Sequence, residues 1–281
     1  MNFGIDLPVH GQFSDPNLLL DLAIETESAG WDGFFLWDHI NMPGKAPKLT
    51  DPWAVLAAVA VRTDKIRIGT MITPLARRRP WKVARETVAI DHLSKGRLIL
   101  GVGLGATGKT EFSAFGEEGD ARVRAEKLDE GLALLVAFWS GENVNFEGKH
   151  YRAKDARFLP KPYQEPRIPI WVAGYWPHKA PMRRAARWDG AFPQQTGLGF
   201  KKMVSPDTMR EIANYIQSYR SKEKEFDLVH WGLSKGNPEV DQAIVKAYED
   251  AGVTWWLENF NPSRGSIKQV RERIRSGPPK G

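Results

Sequence analysis

The sequence of 281 residues contains no cysteine. Disulfides, thiolate nucleophiles and Cys-ligated metals are thereby excluded. It also lacks any apolar run near the roughly 20 residues a membrane helix requires, so no membrane partner is expected. Its opening residues, Met1 to Asp6, have neither the basic start nor the apolar core of a secretory signal, and a cytoplasmic location is the expectation. No His-x-His or His-Glu-x-x-His cluster occurs. The excess of positive charge, +6 at neutral pH, is spread along the chain. Where it gathers, at Arg77, Arg78 and Arg79, no aromatic residues alternate with it, so nucleic acid is not an expected partner.

What is present is material for a packed, soluble fold: 42% hydrophobic and 26% charged residues. The length suits one α/β barrel, which takes about 250 residues, and a single domain over 1–281 is expected. Phe3 to Leu7 reads as a strand, after which Asp15 caps a helix and Pro16 fits its first turn. That helix stops at Gly30, and Phe34-Phe35-Leu36 form the second strand. The alternation continues with a helix over Pro52 to Val61, a strand over Ile66 to Ile72, a helix from Pro80 to near Gly96, and a strand over Arg97 to Val102. Leu128, Leu132, Leu135 and Trp139 then recur at helical spacing.

Between Gly141 and Arg167 the rhythm breaks. Val144 to Tyr151 reads as a hairpin with a glycine in its turn, an insertion into the repeat. Four further strands are read at Ile168–Ala173, Gly190–Phe192, Phe226–Leu233 and Val253–Leu257, with helices over Met182–Trp188, from Pro238 and from Ser266. Eight strands alternating with helices fit a closed (β/α)8 TIM barrel better than an open doubly wound sheet. In such a barrel the segments just beyond each strand form the ligand mouth.

That rule selects Trp37-Asp38-His39, where a carboxylate and an imidazole stand together; the alternative is a pair that fixes a loop. It selects Gly101-Val102-Gly103-Leu104-Gly105, whose glycines would let a ligand lie on bare backbone, with plain loop flexibility as the alternative. Ala173-Gly174 and Phe192-Pro193-Gln194 would offer backbone amides to a phosphate, or form tight turns. Arg77 to Arg79 read first as a solvated charge run and second as a seat for an anionic cofactor tail. Trp37, Trp53, Trp176 and Phe192 would line an apolar pocket or belong to the core. A different class of function also stays open. His10, His39, His178 and His230 fall in or after strands, so a metal-dependent barrel hydrolase is conceivable, with Glu258 the one obvious carboxylate partner.

Five segments carry a family resemblance. Trp37-Asp38-His39, Ile68 to Pro74, Asp91 to Arg97, Gly101 to Gly105 and Phe158-Leu159-Pro160-Lys161-Pro162 resemble, in order, segments of the luciferase-like monooxygenases and their deazaflavin-dependent branch. The resemblance implies a TIM barrel with an insertion after the fourth helix. It implies an oxidoreductase binding coenzyme F420 or FMN at the mouth, with a small-molecule substrate, no catalytic metal and a homodimeric state. A bulge after the third strand would carry a non-prolyl cis peptide at Met71-Ile72 that backs the redox ring. Met71, Ile72, Thr73, Gly103, Gly105, Ala173, Gly174 and Gln194 are the implied cofactor-binding residues, and His39 and Asp38 the catalytic ones. The Asp-His pair tilts the choice toward F420 and hydride transfer, with an FMN-dependent monooxygenase as the alternative. One departure stands out: sugar-phosphate dehydrogenases of the deazaflavin branch have a Glu just after the glycine run, where this chain has Ala106.

Overall fold

The computed structural model describes residues 1–43, 48–105, 108–221 and 225–279. Asn2–Leu7 (β1) begins a strand-helix alternation that continues through Pro16–Ser28 (α1), Gly33–Leu36 (β2), Pro52–Arg62 (α2), Arg67–Pro74 (β3), Pro80–Leu93 (α3) and Leu98–Gly103 (β4). A short Gly108–Glu111 helix (α4) precedes Ala121–Trp139 (α5), and the hairpin Asn143–Glu147 (β5) and Arg152–Arg157 (β6) follows it. The repeat resumes with Ile170–Trp176 (β7), Lys179–Ala185 (α6), Gly190–Gln195 (β8), Pro206–Gln217 (α7), Asp227–Gly232 (β9), Pro238–Glu249 (α8), Trp255–Asn259 (β10) and Ile267–Arg275 (α9).

Eight of these strands close into one parallel barrel, in the order β1-β10-β9-β8-β7-β4-β3-β2, and β5-β6 pair only with each other. The fold is a TIM barrel, with its hairpin inserted after the fourth barrel helix, as expected. The helices start where local chemistry demands. Asp15, Asp51, Ser205 and Asn237 each accept a first-turn backbone N–H and are followed directly by proline, which has no N–H to leave unpaired.

Alternation along each strand divides the core in two. Phe3, Ile5 and Leu7 of β1 face outward to the helices. The barrel interior is a separate cluster of Phe35, Met71, Ile99, Trp171, Phe192, Val229, Trp255 and Leu257. Phe35, Trp171 and Trp255 pack ring on ring there, with centroids 5.2 to 5.9 Å apart. The interior is thus solid below the mouth, and Ile72, Ala173 and Trp231, only partly buried, form its upper cover.

Two of the expected boundaries shift. Ala173-Gly174 and Phe192-Pro193-Gln194 lie within β7 and β8 rather than beyond them, because the ladder between these strands continues through Trp176 opposite Gln195. The helix expected over 182–188 runs from Lys179 to Ala185, its first residue following the Trp176-Pro177 turn. The Asp91-to-Arg97 segment is scaffold at the opposite end of the barrel. Buried Arg97 donates to the carbonyls of Ala60, Thr63, Ile66 and Ser94, tying the ends of α2 and α3 together.

Candidate active site

The mouth is built around an irregularity in β3. The β3-β4 register shifts between Thr70 and Thr73, and the Met71-Ile72 peptide there is cis, as the resemblance implied. Bare backbone opposite lets the bulge close down. A Cβ on Gly103 would come within 3.0 Å of the Ile72 side chain, and one on Gly105, whose φ is +82°, within 2.9 Å of Pro74. Packing against β3 therefore accounts for these two glycines. Ala106, one residue further, lies outside the described residues. Gly174 is explained similarly, since a Cβ there would meet Pro181 at 2.2 Å.

Asp38 and His39 leave β2 in opposite directions. Asp38 is buried, and its carboxylate accepts from Trp53 Nε1 (3.1 Å), Thr73 Oγ1 (2.9 Å), Arg77 Nη2 (2.9 Å) and Arg78 Nη2 (3.0 Å). The favoured reading of Arg77 to Arg79 as a solvated run is thereby corrected. A 3-10 turn over Leu75–Arg77 folds the chain back onto Asp38 and leaves the Arg77 side chain 4% exposed; only Arg79 faces solvent. Burial works against the Arg77 charge, and Asp38 and Glu111 are the anions that offset it. Trp53 and Thr73 are likewise committed to this cluster, not to a pocket.

His39 turns to the mouth and meets a residue the sequence did not single out. Its Nδ1 lies 3.0 Å from Glu111 Oε1, the same oxygen that accepts Ile40 N–H at 3.0 Å. Asn41 Nδ2 adds a bond to Thr110 carbonyl, so the loop after β2 is stitched to α4. Burial pushes the Glu111 carboxyl up, but the His39 bond and charge, the Ile40 N–H and Arg77 together hold it below the usual carboxylate range. An ionised carboxylate only accepts, so the shared proton sits on Nδ1, and in the neutral form of the ring Nε2 is the acceptor.

Aromatic residues form the rest of the wall. Trp37 stacks on Trp231 at 5.7 Å and on Phe200 at 5.5 Å, with interplanar angles of 27°. His10 and His39 lie against Trp37, and Phe192 against Trp231. Trp176 is elsewhere, under the Lys179 ammonium. Gln194 lies half-buried beside Tyr175 on the β8 ladder. A recess of about 360 Å³ opens at the rim beside Phe200, where Lys201 and Lys235 are exposed cations and Arg264 is paired with Glu258.

The four histidines proposed as metal ligands do not converge. His10 and His39 are 6.2 Å apart by ring centroid; His178 precedes the first residue of α6 and makes no side-chain bond to it; His230 is buried against Tyr248 of α8. Among the described residues no three His, Asp or Glu side chains are placed to share an ion.

This is a TIM barrel whose mouth joins a bulged third strand, a sealed aromatic interior and an imidazole held by a carboxylate. The family profile described as luciferase-like monooxygenase matches residues 1–223, and the chain belongs to that family. A curated relative from Microbacterium testaceum, described as an F420-dependent glucose-6-phosphate dehydrogenase, is 34% identical over 167 residues, 58% of this chain and 48% of the relative. This chain spans about half the length of the curated relatives it matches. The fold is that of the coenzyme F420 dependent tetrahydromethanopterin reductase from Methanopyrus kandleri, with a TM-score of 0.75 at 17% identity over 98% of both chains. It also matches the monooxygenase RslO1 from Streptomyces bottropensis, with a TM-score of 0.67 at 25% identity over 90% of this chain and 78% of that one. No helix among the described residues is long and apolar enough to cross a membrane.

Proposed function

We propose that the chain is a cytoplasmic oxidoreductase that passes hydride between coenzyme F420 and a small organic substrate at the barrel mouth. The observation that carries this reading is an apolar cover, Ile72, Ala173 and Trp231, joined through Trp37 to an imidazole whose Nδ1 is held by Glu111 and whose Nε2 is left for a ligand. Membership of the family and the F420 dependence named for the curated relative support it. The cover suits a flat ring, and no large side chain intervenes where Gly103 meets Ile72 and Ala173. The backbone of Met71, Ile72 and Thr73 would back such a ring from β3, with Gly103 and Gly105 beside it. Ala173, Gly174 and Gln194 would meet its phosphate-bearing tail. When bound, the cofactor supplies a carbon that accepts or donates hydride.

The chain's own contribution is positioning and proton handling. His39 Nε2 accepts a hydrogen bond from the substrate, and Glu111 keeps the ring in the tautomer that can do so. Asp38 acts at one remove: with its oxygens engaged by four donors, it positions the loop rather than touching substrate. Sugar phosphate is not carried over from the relative, given Ala106 and the partial overlap in length. An FMN-dependent monooxygenase is the second reading; the likeness to RslO1, described as a monooxygenase, supports the oxygenase part of it.

A fluorescence titration decides between them. F420 is expected to bind stoichiometrically and FMN at least about tenfold more weakly, a difference of 1.4 kcal/mol; tighter FMN binding with oxygen consumption would establish the second reading. His39→Ala and Glu111→Gln are each expected to weaken F420 binding or turnover about tenfold or more while leaving cooperative melting intact, because neither side chain belongs to the apolar core. Loss of the cooperative transition in His39→Ala would mean that the pair only fixes the loop. Light scattering tests the homodimer that belongs to this reading.

A further inference from the structure

The inner face of β1 ends on a carboxylic acid. With Phe3, Ile5 and Leu7 packed outward, Gly4 and Asp6 face the barrel axis. Gly4 is registered with Leu257 on one side and Gly33 on the other, and Asp6 stands one pleat higher, registered with Asn259 and Phe35. Asp6 is fully buried. Its Oδ2 accepts from Trp37 Nε1 at 2.9 Å, from Trp231 Nε1 and from Asn259 Nδ2 at 3.3 Å. Its Oδ1 is screened from water and has no partner. Leaving a buried polar atom unpaired costs about 1–3 kcal/mol, and such an atom calls for an explanation in what the protein does.

The asymmetry decides where a proton can sit. Three N–H donors converge on Oδ2, so a proton there would oppose them, and Oδ1 is the position that remains. Burial pushes the carboxyl up to about 7, against the three bonds that lower it, so both forms coexist near neutrality. The carboxylates on the adjoining elements are paired, whereas the imidazoles of His10 and His230 keep buried, unpartnered ring nitrogens. Asp38 and Glu258 pair with Arg77 and Arg264, Glu111 with His39, while His230 packs on Tyr248 and His10 against Trp37.

We propose that Asp6 is a catalytic residue whose Oδ1 gives and takes the proton that accompanies hydride transfer at the mouth. The inference rests on the hydride-transfer reading above. When a substrate carbonyl carbon accepts hydride, the C=O π pair moves to oxygen and the Oδ1 proton joins it, leaving an alcohol and the Asp6 carboxylate. In the other direction the O–H proton passes to Oδ1 as hydride leaves carbon. Trp231, which donates to Asp6 Oδ2, is half-buried and packs against exposed Phe200, so side chains rather than backbone separate Asp6 from solvent on that side. They can turn without moving a strand.

Calorimetry of F420 binding at pH 7, in two buffers of different ionisation enthalpy, counts the protons exchanged. Wild type, about half protonated at Asp6, is expected to exchange up to about half a proton per site. Asp6→Asn, which keeps an acceptor oxygen for the indoles, is expected to lose that exchange; Asp227→Asn, at a half-buried carboxyl that is likewise raised, is expected to keep it. Infrared spectra should show a protonated-carboxyl band titrating near pH 7, removed by Asp6→Asn and shifted by F420. An equal proton count in wild type and Asp6→Asn, or a band that bound F420 leaves unmoved, would overturn the proposal alone. Failure of F420 and FMN to bind at all would overturn the cofactor reading and this proposal with it. Should Asp6→Asn not fold, the response of the wild-type band to F420 decides.

Discussion

Asp38→Ala is expected to destabilise the barrel by about 3–5 kcal/mol, the cost of stripping a buried ion pair of one partner. The substitution removes one carboxylate and strands several donors. Arg77, 4% exposed, would keep only the Asp38 backbone carbonyl at 2.8 Å and a Glu111 oxygen 4.0 Å away. Trp53 Nε1 would have no acceptor, and Thr73 would keep only Thr70. These groups lie on α2, the bulged part of β3 and the 3-10 turn after it, so relaxation at one cannot repair the others. Asp38→Asn, which retains an acceptor oxygen but not the charge, should cost less. Denaturant titration measures both, and a loss below about 1 kcal/mol for Asp38→Ala would mean the cluster is effectively hydrated.

Much of the scaffold was legible in the residues. The first four strand-helix units fall within a few residues of their expected positions because Asp-Pro pairs and β-branched runs are strong local signals. Later boundaries depend on neighbours. Nothing in Ala173-Gly174 or Pro193-Gln194 alone announces a strand; their pairing with each other makes it one. The helix α7 had a readable signal that went unused, namely Ser205 before Pro206 with Met209, Ile212 and Ile216 at helical spacing.

The site was legible in part, for a physical reason. Short-range neighbours such as Trp37, Asp38 and His39 announce a polar mouth, but their partners come from across the barrel. Glu111 stands 72 positions from His39, and only the joining of the β2 loop to α4 selects it over Glu117 and Glu118. The arginine run misled because three successive cations resemble a solvated face. The anion that draws two of them inward lies about 40 residues earlier in the chain. Asp6 did leave a trace: it is the one charged residue within the apolar Phe3–Leu7 run.

His230 makes the second large prediction, one that concerns stability against acid. The imidazole is fully buried, stacked 4.1 Å from Tyr248 at 19°, and neither ring nitrogen has a hydrogen-bond partner. Burial lowers its pKa from 6.5 to about 3. The unfolded chain therefore binds a proton between about pH 6.5 and 3 that the folded chain does not. Stability from this residue is complete above pH 6.5 and falls as the pH drops, by up to about 1.4 kcal/mol per unit. Asp6 acts with the opposite sign. Its raised pKa gives stability that is full below about pH 4 and lost as the pH rises through about 7, so the wild-type profile mixes the two. His230→Phe isolates the first contribution. Phenylalanine keeps the stack on Tyr248 and the edge contact with Trp256, and any packing penalty it brings does not depend on pH. The stability difference between His230→Phe and wild type is expected to favour the variant progressively from pH 6.5 to 4.5, by about 2–3 kcal/mol in all, and to stay constant from pH 7 to 9. A difference independent of pH throughout would show that His230 takes up its proton in the folded state as readily as in the unfolded one.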